Sequence, residues 1–166
     1  QNKGSIVFFR LGDFYEMFFD DAVLVSKELE LTLTGRDCGL EERAPMCGVP
    51  YHSCEAYIAR LIKKGYKVAI CEQMENPALA KGLVKREVTR IITPGTIVEG
   101  SLLDEAKNNY IASVHVVEDT LGLCFIDIST GEIEITQFST NDLVQKLQTE
   151  LGRFMPAELM LSPEAK

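Results

Sequence analysis

Phe14 and Glu16 stand two residues apart in the run Gly12-Asp13-Phe14-Tyr15-Glu16, a large aromatic ring beside a carboxylate. The ring can stack. The carboxylate can repel an anion, take a proton or accept a hydrogen bond. Three other groups invite chemistry. Asp127, Glu132 and Glu134 are carboxylates of the kind that hold the two metals of a phosphodiester-cleaving centre. Glu132 and Glu134, however, follow a Ser-Thr-Gly turn and alternate with Ile133 and Ile135, the pattern of a strand's solvent face. Cys47, His52 and Cys54 are close in the chain, but zinc wants a fourth ligand and a firmer spacing. The five cysteines are odd in number and include no C-x-x-C pair, so reduced thiols are the default. Finally, eight cations between Arg60 and Arg90, Lys85 and Arg86 among them, face only Glu72, Glu75 and Glu87. That excess suits phosphates, or simply solvates a helix and a hairpin.

The elements that must position these residues can be read from periodicity. Residues 5–11 are apolar and β-rich, a buried strand that Gly12 breaks. Asp13 then stands where a helix N-cap belongs, with Glu16 at the N3 position of a capping box. Phe18, Ala22, Val25 and Leu29 continue as a core stripe, which predicts a helix over 14–30. Counted back along that stripe, Phe14 is core and Glu16 a cap, the plainer reading of the pair. A strand at 31–34, a polar loop from 35 to 44 and a helix from 53 to 64 follow, with Ser53 as N-cap and Gly65 as the C′ residue. Strands at 66–72 and 86–93 complete a mixed α/β unit over residues 1–95. Residues 96–109 are polar and read as a linker. Strands at 110–117, 122–128 and 132–138, joined by short turns, form an antiparallel meander. A helix at 140–153 and a strand at 158–161 come next.

Composition bounds the rest. With 46% apolar residues, 166 residues suffice for one large domain or one domain and part of another. No run approaches the roughly 18 apolar residues of a membrane span, and the first residues resemble neither a signal nor a transit peptide. A soluble, cytoplasmic protein without a membrane partner is expected. The net charge of −8 is unevenly spread: residues 1–100 carry 13 Lys/Arg against 14 Asp/Glu, and residues 101–166 carry 4 against 11. The first part can therefore approach a polyanion. The second suits a protein partner better.

Four runs, FFRLGDFYEMFFDDA, APMCGVPYHSCEAYIARLIKKGYKVAICEQMENP, KREVTRIITPGT and LCFIDISTGE, follow one another as they do in the MutS family of bacterial mismatch-recognition proteins. The resemblance covers essentially the whole chain. It implies a mismatch-binding domain I over 1–95, a mixed sheet flanked by helices, and the first half of a ribonuclease-H-like connector domain II over 110–166. The chain would then be a piece of a longer protein. By this resemblance Phe14 and Glu16 match the Phe-x-Glu motif that enters the minor groove of double-stranded DNA at mispaired or unpaired bases. Arg10, Arg36, Lys85 and Arg86 become candidates for the DNA backbone, by position and not by motif. A helix starting at Asp13 would turn its positive dipole end toward the groove.

The same resemblance sets expectations about what lies elsewhere. No G-x-x-x-x-G-K-[ST] occurs in these residues, so they should bind neither cofactor nor metal and should not hydrolyse ATP. The longer protein would use ATP and Mg, act as a homodimer at the nucleoid, and meet a MutL-type partner through the connector domain. Two rival readings stand beside this one: a ribonuclease-H-like metal-dependent nuclease built on Asp127, Glu132 and Glu134, and a protein-interaction module without mismatch sensing.

Overall fold

Leu11 and Phe14 face each other across a two-residue turn, so the chain opens with a hairpin and not with a strand feeding a helix. The computed structural model describes residues 4–39, 41–75, 82, 84–98, 100, 103–104, 106–139 and 143–165. The chain divides into two compact units, Gln1–Thr93 and Pro94–Lys166. The first holds β1 (Ile6–Leu11), β2 (Phe14–Phe18), α1 (Phe19–Leu29), β3 (Thr34–Arg36), β4 (Ala44–Pro50), α2 (Cys54–Lys63), β5 (Val68–Gln73) and β6 (Arg86–Ile92). Its strands form one six-stranded sheet in the order β3-β4-β2-β1-β5-β6. Only β1 and β5 run parallel; the other neighbours are antiparallel.

The hairpin corrects the helix predicted over 14–30. Gly12 takes φ +60°, the left-handed first position of a Gly-x hairpin turn. From there the chain alternates with period two: Tyr15 and Met17 are buried at 6% and 0% exposure, while Phe14, Glu16 and Phe18 point to the other face. The apolar stripe from Ala22 through Val25 to Leu29 was correctly helical, but it does not extend back past Phe18. Asp13 is thus an exposed turn residue, whose carbonyl accepts from the Tyr51 N–H at 2.9 Å, and Glu16 caps nothing. No helix dipole aims from Asp13.

Other differences are smaller. The predicted loop over 35–44 is bounded by two strands. One of them, β4, is an inner strand hidden by Pro45, Gly48 and Pro50, residues that ordinarily argue against a strand. The strand predicted at 31–34 begins at Thr34. Ser53 stands at the N-cap position of α2, as predicted, but its hydroxyl makes no cap hydrogen bond and donates to the Pro50 carbonyl at 3.3 Å. Gly65 does end α2, at φ +85°. The core lies between the helices and the Tyr15 face of the sheet, where Phe8, Met17, Cys47 and Val49 meet Ala22, Val25, Leu29, Ile58 and Leu61. Each large side chain there contributes about 1.5–3 kcal/mol by leaving water.

The second unit holds β7 (Tyr110–Val117), β8 (Thr120–Asp127), β9 (Glu132–Ser139), α3 (Leu143–Phe154) and β10 (Glu158–Leu161), in the sheet order β10-β7-β8-β9. The meander is antiparallel, and β10 returns parallel to β7. Residues 140–142 of the predicted helix lie outside the described residues. On one face Tyr110, Ala112, Val114, Leu121, Leu123 and Phe125 pack with Leu143, Leu147, Leu151 and Phe154 of α3. Phe125 stacks on Phe154 with centroids 4.1 Å apart. Ile133 and Ile135 take the opposite face and are 55% and 75% exposed. Glu132 and Glu134 are exposed, as their alternation predicts, but the isoleucines between them are exposed too, and Glu134 pairs with Phe125 on the α3 side.

Candidate nucleic-acid interface

β2 is hydrogen-bonded on both edges, to β1 and to β4, and so presents its outward side chains from a strand with no free edge. Phe14, next to the turn, is 47% exposed. Its burial in the core, the plainer expectation from spacing, is overturned. Glu16 lies on the same face opposite Gly48. A Cβ at position 48 would stand 3.3 Å from the Tyr15 carbonyl oxygen, 3.5 Å from Glu16 Cγ and 3.8 Å from Phe14 Cδ1. The bare backbone there gives both side chains room. Sequence reasoning missed Gly48, although a glycine inside a strand is a usual signal of close approach. Phe14 and Glu16 line an open groove of about 450 Å³ with Leu31, Thr32, Thr34 and Met46. Phe9 and Phe18 continue the aromatic surface, edge to face at 6.3 Å.

The candidate cations divide into groups. Arg36, on the edge strand β3, forms an ion pair with the Glu16 carboxylate; the two side chains are 45% and 17% exposed. Arg10 lies over the Tyr51 ring at 3.6 Å and is also near the Tyr15 ring at 5.5 Å. Arg86 donates to the Arg10 carbonyl at 3.1 Å and to the Val84 carbonyl at 2.9 Å, with its guanidinium 5.1 Å from the Phe9 ring. Arg10 and Arg86 thus gather at the hairpin end of the sheet, where the Gly12 N–H also reaches Gln73 Oε1, while Arg36 is at the other end of β2's partner strand, opposite Ala44. Lys85 pairs with Glu87 at 2.7 Å and is well exposed. Lys64 belongs elsewhere: it pairs with Glu28 at 2.6 Å beside Tyr66, at the end where β1 and β5 begin. The cations from Arg60 to Arg90 are therefore not one patch.

Beneath the exposed pair, the Tyr15 hydroxyl donates to the Glu72 carboxylate. Burial first, and that hydrogen bond second, push the Tyr15 hydroxyl well above the ordinary tyrosine range. The phenol stays protonated and ties β2 to β5. Tyr51, 43% exposed and stacked on Arg10, is a further aromatic at this edge that the sequence did not single out. Cys47 is buried, and burial, followed by the charge of Asp21, pushes its thiol up to about 11. Burial likewise raises Cys54. A metal needs a thiolate, which such surroundings disfavour. Among the described residues no three His, Cys, Asp or Glu side chains stand close enough to hold a metal ion.

In the second unit Asp127 and Glu132 are already engaged in hydrogen bonds, and Glu134 is exposed. Asp127 is 1% exposed and accepts from the backbone N–H groups of Asn109 (2.9 Å), Ser129 (2.8 Å) and Thr130 (3.4 Å) and from the Ser129 hydroxyl (2.6 Å). Burial is the largest single influence on its titration and acts upward. The donors together outweigh it and hold the carboxyl below its ordinary value. Glu132 accepts from the Asn108 amide at 2.6 Å. An anion satisfied in this way closes a turn and has little left to offer a metal or a water nucleophile.

The first unit is thus a mixed-sheet α/β domain that offers an aromatic–carboxylate pair on its open face, followed by a second sheet unit with acidic turns. Residues 1–101 match the family model described as MutS domain I, and residues 109–166 match MutS domain II. The DNA mismatch repair protein MutS of Acetivibrio thermocellus is 58% identical over 164 residues, which are 99% of this chain and 19% of that protein. The MutS protein of Ruminiclostridium cellulolyticum is 57% identical over 164 residues, again 99% of the chain and 19% of its relative. That of Clostridium tetani is 55% identical over 162 residues, 98% and 18%. The chain belongs to the MutS family and spans about a fifth of the length of these curated relatives. Among the described residues no helix is long and apolar enough to cross a membrane.

Proposed function

We propose that the first unit reads mispaired or unpaired bases in double-stranded DNA, with Phe14 entering the minor groove as an aromatic wedge and Glu16 meeting the displaced base. The half-exposed position of Phe14 on an inner strand is the observation that carries this reading: a ring held out of the core beside a carboxylate is available to a ligand. A mispair stacks poorly, so the duplex kinks there at lower cost, and a protein can sense that compliance without a base code. Inserting an apolar side chain unstacks a step at a few kcal/mol, least at a defective one. Stacking on the ring returns about 1–3 kcal/mol per base. Glu16 repels the phosphates of intact DNA, and a displaced base that donates to it offsets that repulsion only at a lesion. Arg10, Lys85 and Arg86, grouped at the hairpin end, supply backbone contacts that set register and carry most of the salt-dependent affinity.

The longer protein to which such a unit belongs would act in mismatch repair as a homodimer that hydrolyses ATP with Mg, in the cytoplasm at the nucleoid. The second unit would relay that state and dock a MutL-type partner. The test uses the full-length parent and duplexes with and without one G·T pair, at one stated salt concentration. Phe14→Ala is expected to erase the mismatch preference with little change in thermal stability. Glu16→Ala should raise affinity for perfect duplex. A Phe14→Ala protein that keeps its preference would remove the wedge from the reading.

A further inference from the structure

We infer that Arg36 is a positioning residue for Glu16 and not a phosphate contact: it fixes where the carboxylate points and balances its charge as DNA approaches. This rests on the mismatch reading above and deepens it. Glu16 and Arg36 come from different strands of the sheet, with β4 between them. Their pairing therefore needs the fold; it is not an accident of neighbouring sequence. The Glu16 side chain is four-fifths covered, whereas the Arg36 side chain is about half covered. The carboxylate is thus locked into place by a guanidinium that water still reaches.

The surroundings leave Glu16 few alternatives. On its own face it is flanked by Phe14 and Phe18 along β2, and it faces Phe9 and the bare backbone of Gly48 across the strands. None of these offers a charged donor. The nearest acid to Arg36 in sequence, Asp37, accepts from the Gly39 N–H at 3.2 Å and so closes its own loop. Arg36 itself is pinned by its register opposite Ala44, and Gly35 packs against Arg43 in the same short strand.

An unpaired carboxylate at a groove edge would be driven off by every phosphate, lesion or not. A paired one is repelled less, so that a hydrogen bond from a displaced base can offset the remaining repulsion at a lesion, while on intact duplex nothing offsets it. Charge-assisted pairs are also the more directional ones, so the oxygen stays where a displaced base will be. Arg10 and Arg86, by contrast, lie against ring faces and carbonyl oxygens.

The experiment is a double-mutant cycle in the full-length parent: Arg36→Gln, Glu16→Gln and both, each assayed against G·T and perfect duplexes at two fixed salt concentrations. Arg36→Gln alone is expected to weaken mismatch binding by roughly tenfold, the loss of one charge-assisted contact. It should lower the mismatch preference, yet change affinity less than about twofold when Glu16→Gln is present. The salt slope should not move. Arg36→Lys should recover part of the preference, which a purely steric role would not predict. If Arg36→Gln weakens both duplexes equally in both backgrounds and flattens the salt slope by about one ion, Arg36 is a phosphate contact and the inference fails. Loss of thermal stability in every Arg36 variant, with no dependence on residue 16, would overturn it as well. The mismatch reading fails separately, on a Phe14→Ala protein that still discriminates.

Discussion

The two units use the same plan, a sheet with helices on one face, and differ in what they do with a carboxylate. Glu16 is held by one cation from another strand and borders an open groove; Asp127 is sealed at 1% exposure by four donors, three from its own turn and the fourth the Asn109 N–H. The aromatics divide likewise, Phe14 half exposed and Phe125 at 1%. Charge follows the same division: residues 1–93 carry 13 Lys/Arg and 13 Asp/Glu, residues 94–166 carry 4 and 12. A group satisfied by its own turn serves the fold, and one that depends on a distant partner remains available. By that measure the recognition chemistry proposed above belongs to the first unit, and the nuclease reading of the second finds no three-carboxylate ligand set among the described residues.

The comparison can be broken at the aromatics first. In the 166-residue chain, Phe125→Ala should cost about 3–5 kcal/mol by urea unfolding, because it empties the stack on Phe154. Phe14→Ala should cost well under about 1 kcal/mol. Equal costs would put Phe14 back in the core. The next effect concerns the buried acid. Asp127 is held below its ordinary pKa, so its contribution to stability is present above the unfolded-state value and is lost as pH falls through the folded one. Asp127→Asn should therefore destabilise the second unit by about 1–3 kcal/mol at neutral pH and flatten its acid unfolding, read by circular dichroism.

Gly48→Val tests the room beneath the pair. Its branches would meet the Tyr15 carbonyl and push on Glu16 and Phe14, at about 1–3 kcal/mol in stability with a larger loss of mismatch preference. A variant that discriminates normally would show that this clearance is unimportant. The smallest effect is expected at Ile135, 75% exposed, where Ile135→Gln should shift stability by less than about 0.5 kcal/mol in this chain.

Much of this architecture was legible in the residues. The stripe from Ala22 to Leu29, the glycine that ends α2, the meander and the leucine-spaced α3 all followed from period and punctuation. The first turn of the site did not. Asp13 and Glu16 imitate a capping box, and the stripe overlapped a stretch whose true period is two. A two-residue hairpin after Gly12 was the competing signal, and tertiary pairing on both edges of β2 decided for it. β4 was hidden because its prolines sit near its ends, opposite Gly35 and Phe14, where a missing N–H does least harm. The Glu16–Arg36 pair could not be seen at all, since nothing local joins residues that are 20 apart in sequence.

The placement of Phe14 on a strand held from both sides also fixes where compliance resides. A probe mounted on a loop would recoil, and part of the work of insertion would be lost in the protein. In the reading proposed above, the ring, mounted between β1 and β4 and braced beneath by the Tyr15–Glu72 bond, would act as the tip of a hardness tester. The indentation it made would then report the softness of the duplex and almost nothing of its own spring.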